Sequence, residues 1–517
     1  MKIEKILIED QMAPIGLDEK KPAFSWLLTA EEGEQNLMQS ACRIVVRTGE
    51  DTVWDSGKME TGVSTGIGYE GEALQPCTKY EVKAEVWDNH GGKAEAESSF
   101  ETGLMDSLYA AWEGAEWIGA PHATVCAENR GVFTIESEFR MEGGKGEAGI
   151  VFGANDFRLN DHTKNELGME GENYIRYAVC LEDGDARLEI YRVGYAPEDT
   201  AEKPFAVTKL VNWKEKTQEI LTPENADAFH KLTVEVDGNV AYAYVDGILV
   251  DAIEEHGFFG TKVSGRQLNP RGNNDVLPYP RLNEIGFYAG KGTTGYFKNL
   301  TVRNVRKPSA EIVRETPEGR LDGGKSIFAD QIPVENGYFK VEDSQITADP
   351  SHHSIPMLRS CISCRKEKKL ASARLYITAR GIYDCRINGQ EITEDLLRPG
   401  LTQYDHRMNY QTYDISGLMK PGRNGIGVTL ASGWWSEAQT FVVKNFNYFG
   451  DKESLLAKVV MKYEDGSREI FGTNAEDWKY FGEGPYLFSS YFAGEQYDAR
   501  RAEVYETYSC LLYTSDA

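Results

Sequence analysis

The sequence predicts an all-β protein made of tandem β-sandwich or jelly-roll domains. Short runs in which apolar and polar residues alternate recur along the chain, and turns rich in Gly, Asn and Asp separate them. Many short strands without intervening helices are typical of sandwiches and jelly rolls. Because the chain has 517 residues, we expect three or four domains rather than one compact unit.

The net charge argues against two classes of binding partner, and the composition argues against a disordered chain. Lys and Arg number 56 against 82 Asp and Glu, which gives a formal net charge of −26. This negative potential repels phosphate backbones and anionic lipid, so we expect neither nucleic acid nor a membrane as partner. The hydrophobic fraction of 41% is sufficient for ordinary cores and argues against wholesale disorder.

The N-terminus and the cysteines predict a cytoplasmic protein with reduced thiols. Residues 1–6 alternate charged and aliphatic side chains and lack the apolar stretch of a signal peptide. Eight cysteines are scattered through the long chain, which fits reduced thiols. Cys361 and Cys364 form a CxxC motif on a predicted strand, where positions three apart face opposite sides. We interpret them as reduced strand cysteines, with a zinc or redox site as the alternative.

Residues 1–106 predict a first sandwich of the fibronectin III or immunoglobulin kind. The segment from Leu74 to Tyr80 resembles the tyrosine corner of fibronectin type III domains, in which the Tyr hydroxyl bonds back to the upstream backbone. Trp26, Trp54 and Trp87 lie in its predicted strands. We assign them to the core, with a sugar-stacking platform as the alternative.

A joint at residues 107–130 leads to a second β module at residues 131–306. Its hairpin turns and strand order resemble concanavalin-like or laminin-G-like lectin modules, which often bind glycans, sometimes through calcium. Oxygen ligands for calcium are available in this module, although a polar surface loop is the alternative. The candidate ligands are Asn155, Asp156, Asn160, Asp161 and Glu166.

The remainder of the chain predicts a linker and a third module. Residues 307–330 carry several Pro and Gly residues and are interpreted as the linker. Residues 331–509 contain another series of short strands, with a strong hairpin signal at Asn388-Gly389.

Three groups of motifs occur in order along the chain. They run from Pro22-Ala23-Phe24-Ser25-Trp26 to Trp117-Ile118-Gly119, from Ala379-Arg380-Gly381-Ile382-Tyr383 to Gly433-Trp434-Trp435, and from Asn447-Tyr448-Phe449-Gly450-Asp451 to Gly494-Glu495-Gln496-Tyr497-Asp498-Ala499-Arg500. In this order they resemble the N-terminal accessory region of bacterial α-L-rhamnosidases, which are inverting glycoside hydrolases. The resemblance implies a rhamnosidase N-terminal jelly roll at residues 331–509 and rhamnose-containing glycans or glycosides as ligands.

The sequence departs from the family pattern in two ways. Residues 131–306 stand where the family usually has a short link, so we interpret them as an inserted domain. The family's catalytic module lies C-terminal to everything present here, so we expect no catalytic residue in this chain and regard the missing module as a partner. Residues 510–517 resemble a translated sequencing adapter, with an ordinary tail as the alternative.

The spacing of the carboxylates does not identify an acid and a base for this reaction. Inverting hydrolysis needs two carboxyl groups about 6.5 to 9.5 Å apart across the glycosidic bond. Glu495 and Asp498 are the best pair available in the family-like stretch. We assign them to salt bridging with Arg500 rather than to catalysis.

Sugar recognition favours aromatic faces beside planar polar groups. Trp434, Trp435, Asn447 and Tyr448 have this chemistry, with core packing as the alternative. Consecutive strand residues point to opposite sides, so one of the two tryptophans is expected in the core. Some relatives carry a calcium-dependent rhamnose site in the corresponding jelly roll, which makes Asp405 a candidate metal ligand. We expect no required cofactor, with calcium as the alternative.

Two functions stay open from the sequence. The first is the non-catalytic N-terminal part of an α-L-rhamnosidase, whose complete form hydrolyses terminal α-L-rhamnosides. The second is a stand-alone carbohydrate-binding β-sandwich protein. Sequencing the source DNA beyond Tyr508 would separate them.

Overall fold

The computed structural model describes residues 1–120, 132–155, 173–196, 198–211, 220–237, 240–250, 263–264, 282–305, 307–321, 323–350, 354–436, 449–450, 452–491 and 494–503. Its regular structure is nearly all antiparallel β-sheet, which confirms the predicted all-β class. None of the helices in these segments is long and apolar enough to span a membrane. They are single turns at Tyr109–Trp112, Glu142–Gly144, Ser416–Leu418, Gly433–Ser436 (α1) and Ala499–Arg501.

The first sandwich packs a three-stranded sheet on a four-stranded one. Its strands are β1 (Lys2–Ile8), β2 (Ala23–Thr29), β3 (Gln39–Thr48), β4 (Asp51–Asp55), β5 (Ile67–Gly68), β6 (Lys79–Asp88) and β7 (Lys93–Glu101). The sheets run in the orders β1-β2-β5 and β4-β3-β6-β7. Alternation along the strands places every second side chain in the core.

The three tryptophans of this sandwich have different environments. Trp26 is fully buried, and Trp54 packs against the core, 5.8 Å from Phe24 between ring centroids. Trp87 instead lies half-buried on the outer face, below the ammonium groups of Lys58 and Lys93. The core assignment is therefore wrong for Trp87. Side chains alternate along β6, and Trp87 lies on the side that points away from the core.

The middle sandwich has the largest sheets. Its strands are β9 (Val132–Met141), β10 (Gly146–Ala154), β11 (Tyr174–Glu182), β12 (Asp185–Val193), β13 (Phe205–Leu210), β14 (His230–Asp237), β15 (Val240–Val245), β16 (Ile248–Leu249), β17 (Val263–Ser264), β18 (Glu284–Ala289), β19 (Thr294–Phe297), β20 (Leu300–Asn304), β21 (Lys307–Thr316), β22 (Gly319–Arg320), β23 (Val334–Glu335), β24 (Tyr338–Glu342) and β25 (Gln345–Ala348). A six-stranded sheet, β13-β12-β11-β10-β18-β25, packs on a sheet centred on β14, β9 and β19.

The middle sandwich extends beyond its predicted end. β21 pairs with β20, β24 with β19, and β25 with β18. Ile312, Phe328 and Phe339 belong to the same core as the strands before residue 306. The linker predicted at residues 307–330 and the domain start predicted at residue 331 are therefore wrong, because these segments complete the sheets of the middle sandwich.

The third sandwich has two five-stranded sheets, and its last two strands form a separate two-stranded sheet. Its strands are β26 (Met357–Cys364), β27 (Leu370–Arg380), β28 (Ile382–Ile387), β29 (Gln390–Glu391), β30 (Gln411–Asp414), β31 (Gly422–Ala431), β32 (Ser454–Tyr463), β33 (Arg468–Gly472), β34 (Lys479–Phe481), β35 (Tyr486–Ser490) and β36 (Gly494–Tyr497). One sheet has the order β29-β28-β31-β26-β34. The other, β30-β27-β32-β33, also holds β8 (Ile118–Gly119) from the joint. Cys361 and Cys364 lie on β26 as free cysteines, as predicted.

Candidate functional site

The predicted aromatic site is built around a helical turn rather than a strand. Trp434 and Trp435 lie in α1, directly after β31. Gly433 has a φ of 51°, and a Cβ there would lie 2.8 Å from the Cγ2 atom of Ile382. Because glycine has no Cβ, it permits this left-handed conformation and the close approach to Ile382. The chain leaves the sheet there and forms α1, so the predicted strand geometry of the two tryptophans is wrong.

Both tryptophans are half-buried and pack against other aromatic rings. Trp434 lies 4.2 Å from Tyr491 between ring centroids. Trp435 lies 5.8 Å from Tyr404, and its indole N–H donates to the Lys452 carbonyl oxygen at 3.0 Å. The Arg380 guanidinium lies 5.3 Å from the centroid of Trp435. Packing therefore uses a large part of the ring surface that would otherwise contact a sugar.

The remaining predicted site residues do not complete a site among the described residues. Asn447 and Tyr448 lie outside the described residues, as do Asp156, Asn160, Asp161 and Glu166. Asp405 is exposed, and no group of three His, Cys, Asp or Glu side chains suited to a metal ion occurs in the described parts of the chain. The sugar-binding and calcium assignments stay predictions.

Glu495 and Asp498 have separate environments. Asp498 accepts two hydrogen bonds of 2.8 Å from the Arg500 guanidinium. These bonds hold the pKa of Asp498 at about 2. A carboxyl group with so low a pKa stays ionised at neutral pH and cannot act as the general acid. The predicted salt bridge to Arg500 is confirmed for Asp498, whereas Glu495 accepts from the Ser489 hydroxyl at 3.5 Å and forms no salt bridge to Arg500.

A second cluster, which the sequence did not identify, lies on the outer face of the six-stranded sheet. We call it the Arg176 face, and its members are Glu147, Arg176, Tyr191, Tyr288 and Gln345. The register places Arg176 of β11 opposite Tyr191 of β12, and Tyr288 of β18 opposite Gln345 of β25. Their sequence neighbours Ile175, Ile190 and Phe287 point into the core. The five side chains therefore project together from the opposite face.

The Arg176 face combines aromatic planes with charged groups. The Arg176 guanidinium carbon lies 3.7 Å from the centroid of Tyr288 and 4.4 Å from that of Tyr191. The Tyr288 hydroxyl donates to Glu147 at 3.2 Å. Burial raises the pKa of Glu147, although Arg176 and the Tyr288 hydroxyl oppose this shift. Burial also raises the pKa of Tyr191 and of Tyr288 to about 12, so both hydroxyls stay protonated.

The Arg176 face has unmet hydrogen-bonding capacity. The Oε1 atom of Glu147 and the Nε atom of Arg176 are buried and have no hydrogen-bond partner among the described residues. One is an acceptor and the other a donor, and buried polar groups are rarely left without a partner. A hydroxyl group both donates and accepts, so it has the chemistry to partner either atom once the side chains that cover them move. This arrangement suits a hydroxyl-rich ligand held beside aromatic rings.

Two family models match the flanks of the chain. The model "Rha78A-like, N-terminal immunoglobulin domain" matches residues 3–106, and "Alpha-L-rhamnosidase N-terminal domain" matches residues 368–510. The chain is related to the α-L-rhamnosidases. The immunoglobulin match falls on the first sandwich, and the other match falls on the third.

Individual relatives extend this relationship. An α-L-rhamnosidase of Streptomyces avermitilis is 26% identical over 504 residues, which cover 96% of this chain and 42% of that protein. One of Formosa agariphila is 38% identical over 132 residues, which cover 25% of this chain and 14% of that protein. The chain thus spans less than half the length of these relatives.

A solved structure has a similar fold. The crystal structure of Streptomyces avermitilis α-L-rhamnosidase complexed with L-rhamnose aligns with a TM-score of 0.52 at 20% identity. The alignment covers 97% of this chain and 43% of that chain. It therefore includes the middle sandwich, and it supports the all-β sandwich fold of this rhamnosidase-related chain.

Proposed function

We propose that this chain is the non-catalytic, accessory β-sandwich part of an α-L-rhamnosidase, whose complete form hydrolyses terminal α-L-rhamnosides. The observation that carries the proposal is the alignment with the Streptomyces avermitilis rhamnosidase over 96% of this chain. Both family models that match are described as N-terminal domains, which supports an accessory role. The salt-bridged state of Asp498 supports the lack of a catalytic pair in the family-like stretch.

Hydrolysis of an aryl α-L-rhamnoside by the purified chain tests the non-catalytic role. We expect no release of the aryl group above the rate in buffer, because Arg500 holds Asp498 ionised and Asp498 therefore cannot act as the acid beside Glu495. Glu495→Gln and Asp498→Asn serve as matched variants. Turnover by the unaltered chain that is lost in either variant would contradict the proposal.

We further propose that the middle sandwich binds a rhamnose-containing glycan at the Arg176 face. Glu147 supplies an acceptor and Arg176 a donor for adjacent hydroxyl groups. Their unpartnered atoms are buried, so binding requires the side chains that cover them to move. Tyr191 and Tyr288 supply the aromatic surface that contacts the apolar side of a sugar ring. The same feature supports the second candidate function, a stand-alone carbohydrate-binding protein.

Calorimetric titration with L-rhamnose tests this face. Arg176→Met keeps an apolar stem and removes the charge, so we expect sugar affinity about tenfold weaker, the scale of one hydrogen bond to a charged group. Arg314→Met is the control, because Arg314 is half exposed on β21 and pairs with Glu311. Unchanged affinity in Arg176→Met, or loss in a Trp435→Phe variant alone, would place the sugar outside the Arg176 face.

A further inference from the structure

A cavity of about 440 Å³ lies between the first and third sandwiches. The first sandwich contributes Pro76, Cys77, Thr78 and Leu104, and the joint contributes Ala110 and Ala111. The third sandwich contributes Lys458 and Lys462 from β32. Because these lysines are four residues apart on one strand, both project from the face of the sheet opposite the core residues Val459 and Met461.

Positive charge dominates the inner wall of this cavity. Lys458, Lys462 and Arg468 line it together with two carboxylates, Asp106 and Glu113. Glu113 is shared, since it accepts from Lys458 at 2.9 Å and from Arg468 at 2.7 Å. Asp106 already accepts a hydrogen bond of 2.9 Å from the backbone N–H of Leu108.

Of the three cations, Lys462 is the one whose positive charge is least neutralised by neighbouring groups. Its ammonium donates to the Cys77 carbonyl oxygen at 2.6 Å, and this neutral group is its one hydrogen-bond acceptor among the described residues. An ammonium has three donors, so two remain for a ligand. Burial lowers the pKa of Lys462, Glu101 and the Cys77 thiol oppose this shift, and Arg468 and Arg374 add to it. Among the described residues, Lys462 forms no hydrogen bond to a carboxylate, so its charge is incompletely neutralised in the folded chain.

We propose that this cavity binds a small organic anion through a carboxylate or phosphoryl group. The oxyanion would accept hydrogen bonds from Lys462 and Arg468, and the apolar walls formed by Pro76, Leu104 and Ala110 would contact the rest of the molecule. Because the cavity is lined by two sandwiches and their joint, the anion stabilises the contact between them. This site is separate from the Arg176 face, which lies in the middle sandwich.

Thermal unfolding with inorganic phosphate or succinate, each at constant ionic strength set with sodium chloride, tests the proposal. We expect the midpoint to rise by about 3 °C when the anion reaches tenfold its dissociation constant. A rise with phosphate alone identifies a phosphoryl ligand, and a rise with succinate identifies a carboxylate ligand. No rise beyond that produced by chloride would overturn the proposal.

Two variants locate the effect. Lys462→Met and the exposed Arg468→Gln should each weaken anion affinity about tenfold, the scale of a hydrogen bond to a charged group. Arg468→Gln keeps the test valid if Lys462→Met fails to fold. Lys369→Gln is the control of equal charge, because Lys369 is exposed in the same sandwich and pairs with Glu464. Equal anion affinity in Arg468→Gln and Lys369→Gln would overturn the proposal.

Alkylation of the thiols gives an independent readout. Cys77 lines the cavity, whereas the comparably exposed Cys361 lies on β26. We expect the anion that stabilises the chain to slow iodoacetamide labelling of Cys77 severalfold, measured by peptide mass spectrometry, without slowing Cys361. Stabilisation without protection of Cys77 would place the anion elsewhere and overturn the proposal.

Discussion

At the scale of single residues, the sequence predicts polar contacts between residues close together in the chain. It does not predict contacts between side chains on neighbouring strands. The predicted tyrosine corner is present, since the backbone N–H of Gln75 donates to the Tyr80 hydroxyl at 2.7 Å. The pair Asp498 and Arg500, two residues apart, also forms as predicted. The Arg176 face unites residues from five strands, so it depends on register, which one sequence does not specify.

Removal of the Tyr80 hydroxyl tests the corner. In Tyr80→Phe the Gln75 N–H loses its acceptor beside the buried Tyr80 ring, so we expect the first sandwich to lose about 1 kcal/mol of unfolding free energy. Urea unfolding measures the change, and Tyr109→Phe is the control because Tyr109 is 53% exposed. Equal stability of Tyr80→Phe and Tyr109→Phe would show that the hydrogen bond contributes little.

At the scale of elements, strand content was predictable but strand partners were not. Residues 307–330 carry the Pro and Gly residues of a linker, yet β21 pairs with β20 along most of its length. Local composition reports turn propensity, whereas pairing depends on residues distant in the chain. Likewise, the aromatic pair after Gly433 has strand-like composition but forms α1, because Gly433 adopts a left-handed conformation that ends β31.

The hairpin of β14 and β15 contains a pH-sensitive contact. The buried His230 ring has Nδ1 2.8 Å from the Asp246 carboxylate and Nε2 2.9 Å from the Asn225 carbonyl oxygen. Both neighbours are acceptors, so the doubly protonated ring satisfies both. Burial lowers the pKa of His230, but these hydrogen bonds outweigh burial and the pKa is raised.

This raised pKa predicts how stability depends on pH. The contribution of His230 is complete below the ordinary histidine pKa of about 6.5 and is lost as pH rises through the higher folded-state value. We therefore expect the middle sandwich to melt at a lower temperature at pH 8 than at pH 6. The difference should shrink in His230→Gln and persist in the exposed His90→Gln control. A difference that is unchanged in His230→Gln would contradict this assignment.

At the scale of the whole molecule, the flanking sandwiches contact each other directly although the middle sandwich separates them in sequence. Arg374 of β27 donates to Glu101 of β7 through two hydrogen bonds of 2.7 and 2.6 Å. The Tyr410 hydroxyl accepts from the backbone N–H of Leu104 at 2.7 Å. Leu104, Trp112, Tyr376 and Val460 share a small apolar cluster at this contact. The flanking pair therefore has an interface that does not depend on the middle sandwich.

Two deletions test where the middle sandwich ends. Replacing residues 131–348 by a flexible linker removes a complete pair of sheets, so we expect the flanking sandwiches to keep their stability within about 0.5 kcal/mol, as for independent sites. Replacing residues 131–306 removes β20, β19 and β18, the partners of β21, β24 and β25. Ile312, Phe328 and Phe339 then lose most of the core that covers them. Exposed apolar surface of this kind promotes association, so we expect oligomers by size-exclusion chromatography and a lower melting temperature. If both deletions gave the same stable monomer, residues 307–348 would not depend on the sheets of the middle sandwich. Residues 307–330 would then be a linker, as the sequence predicts.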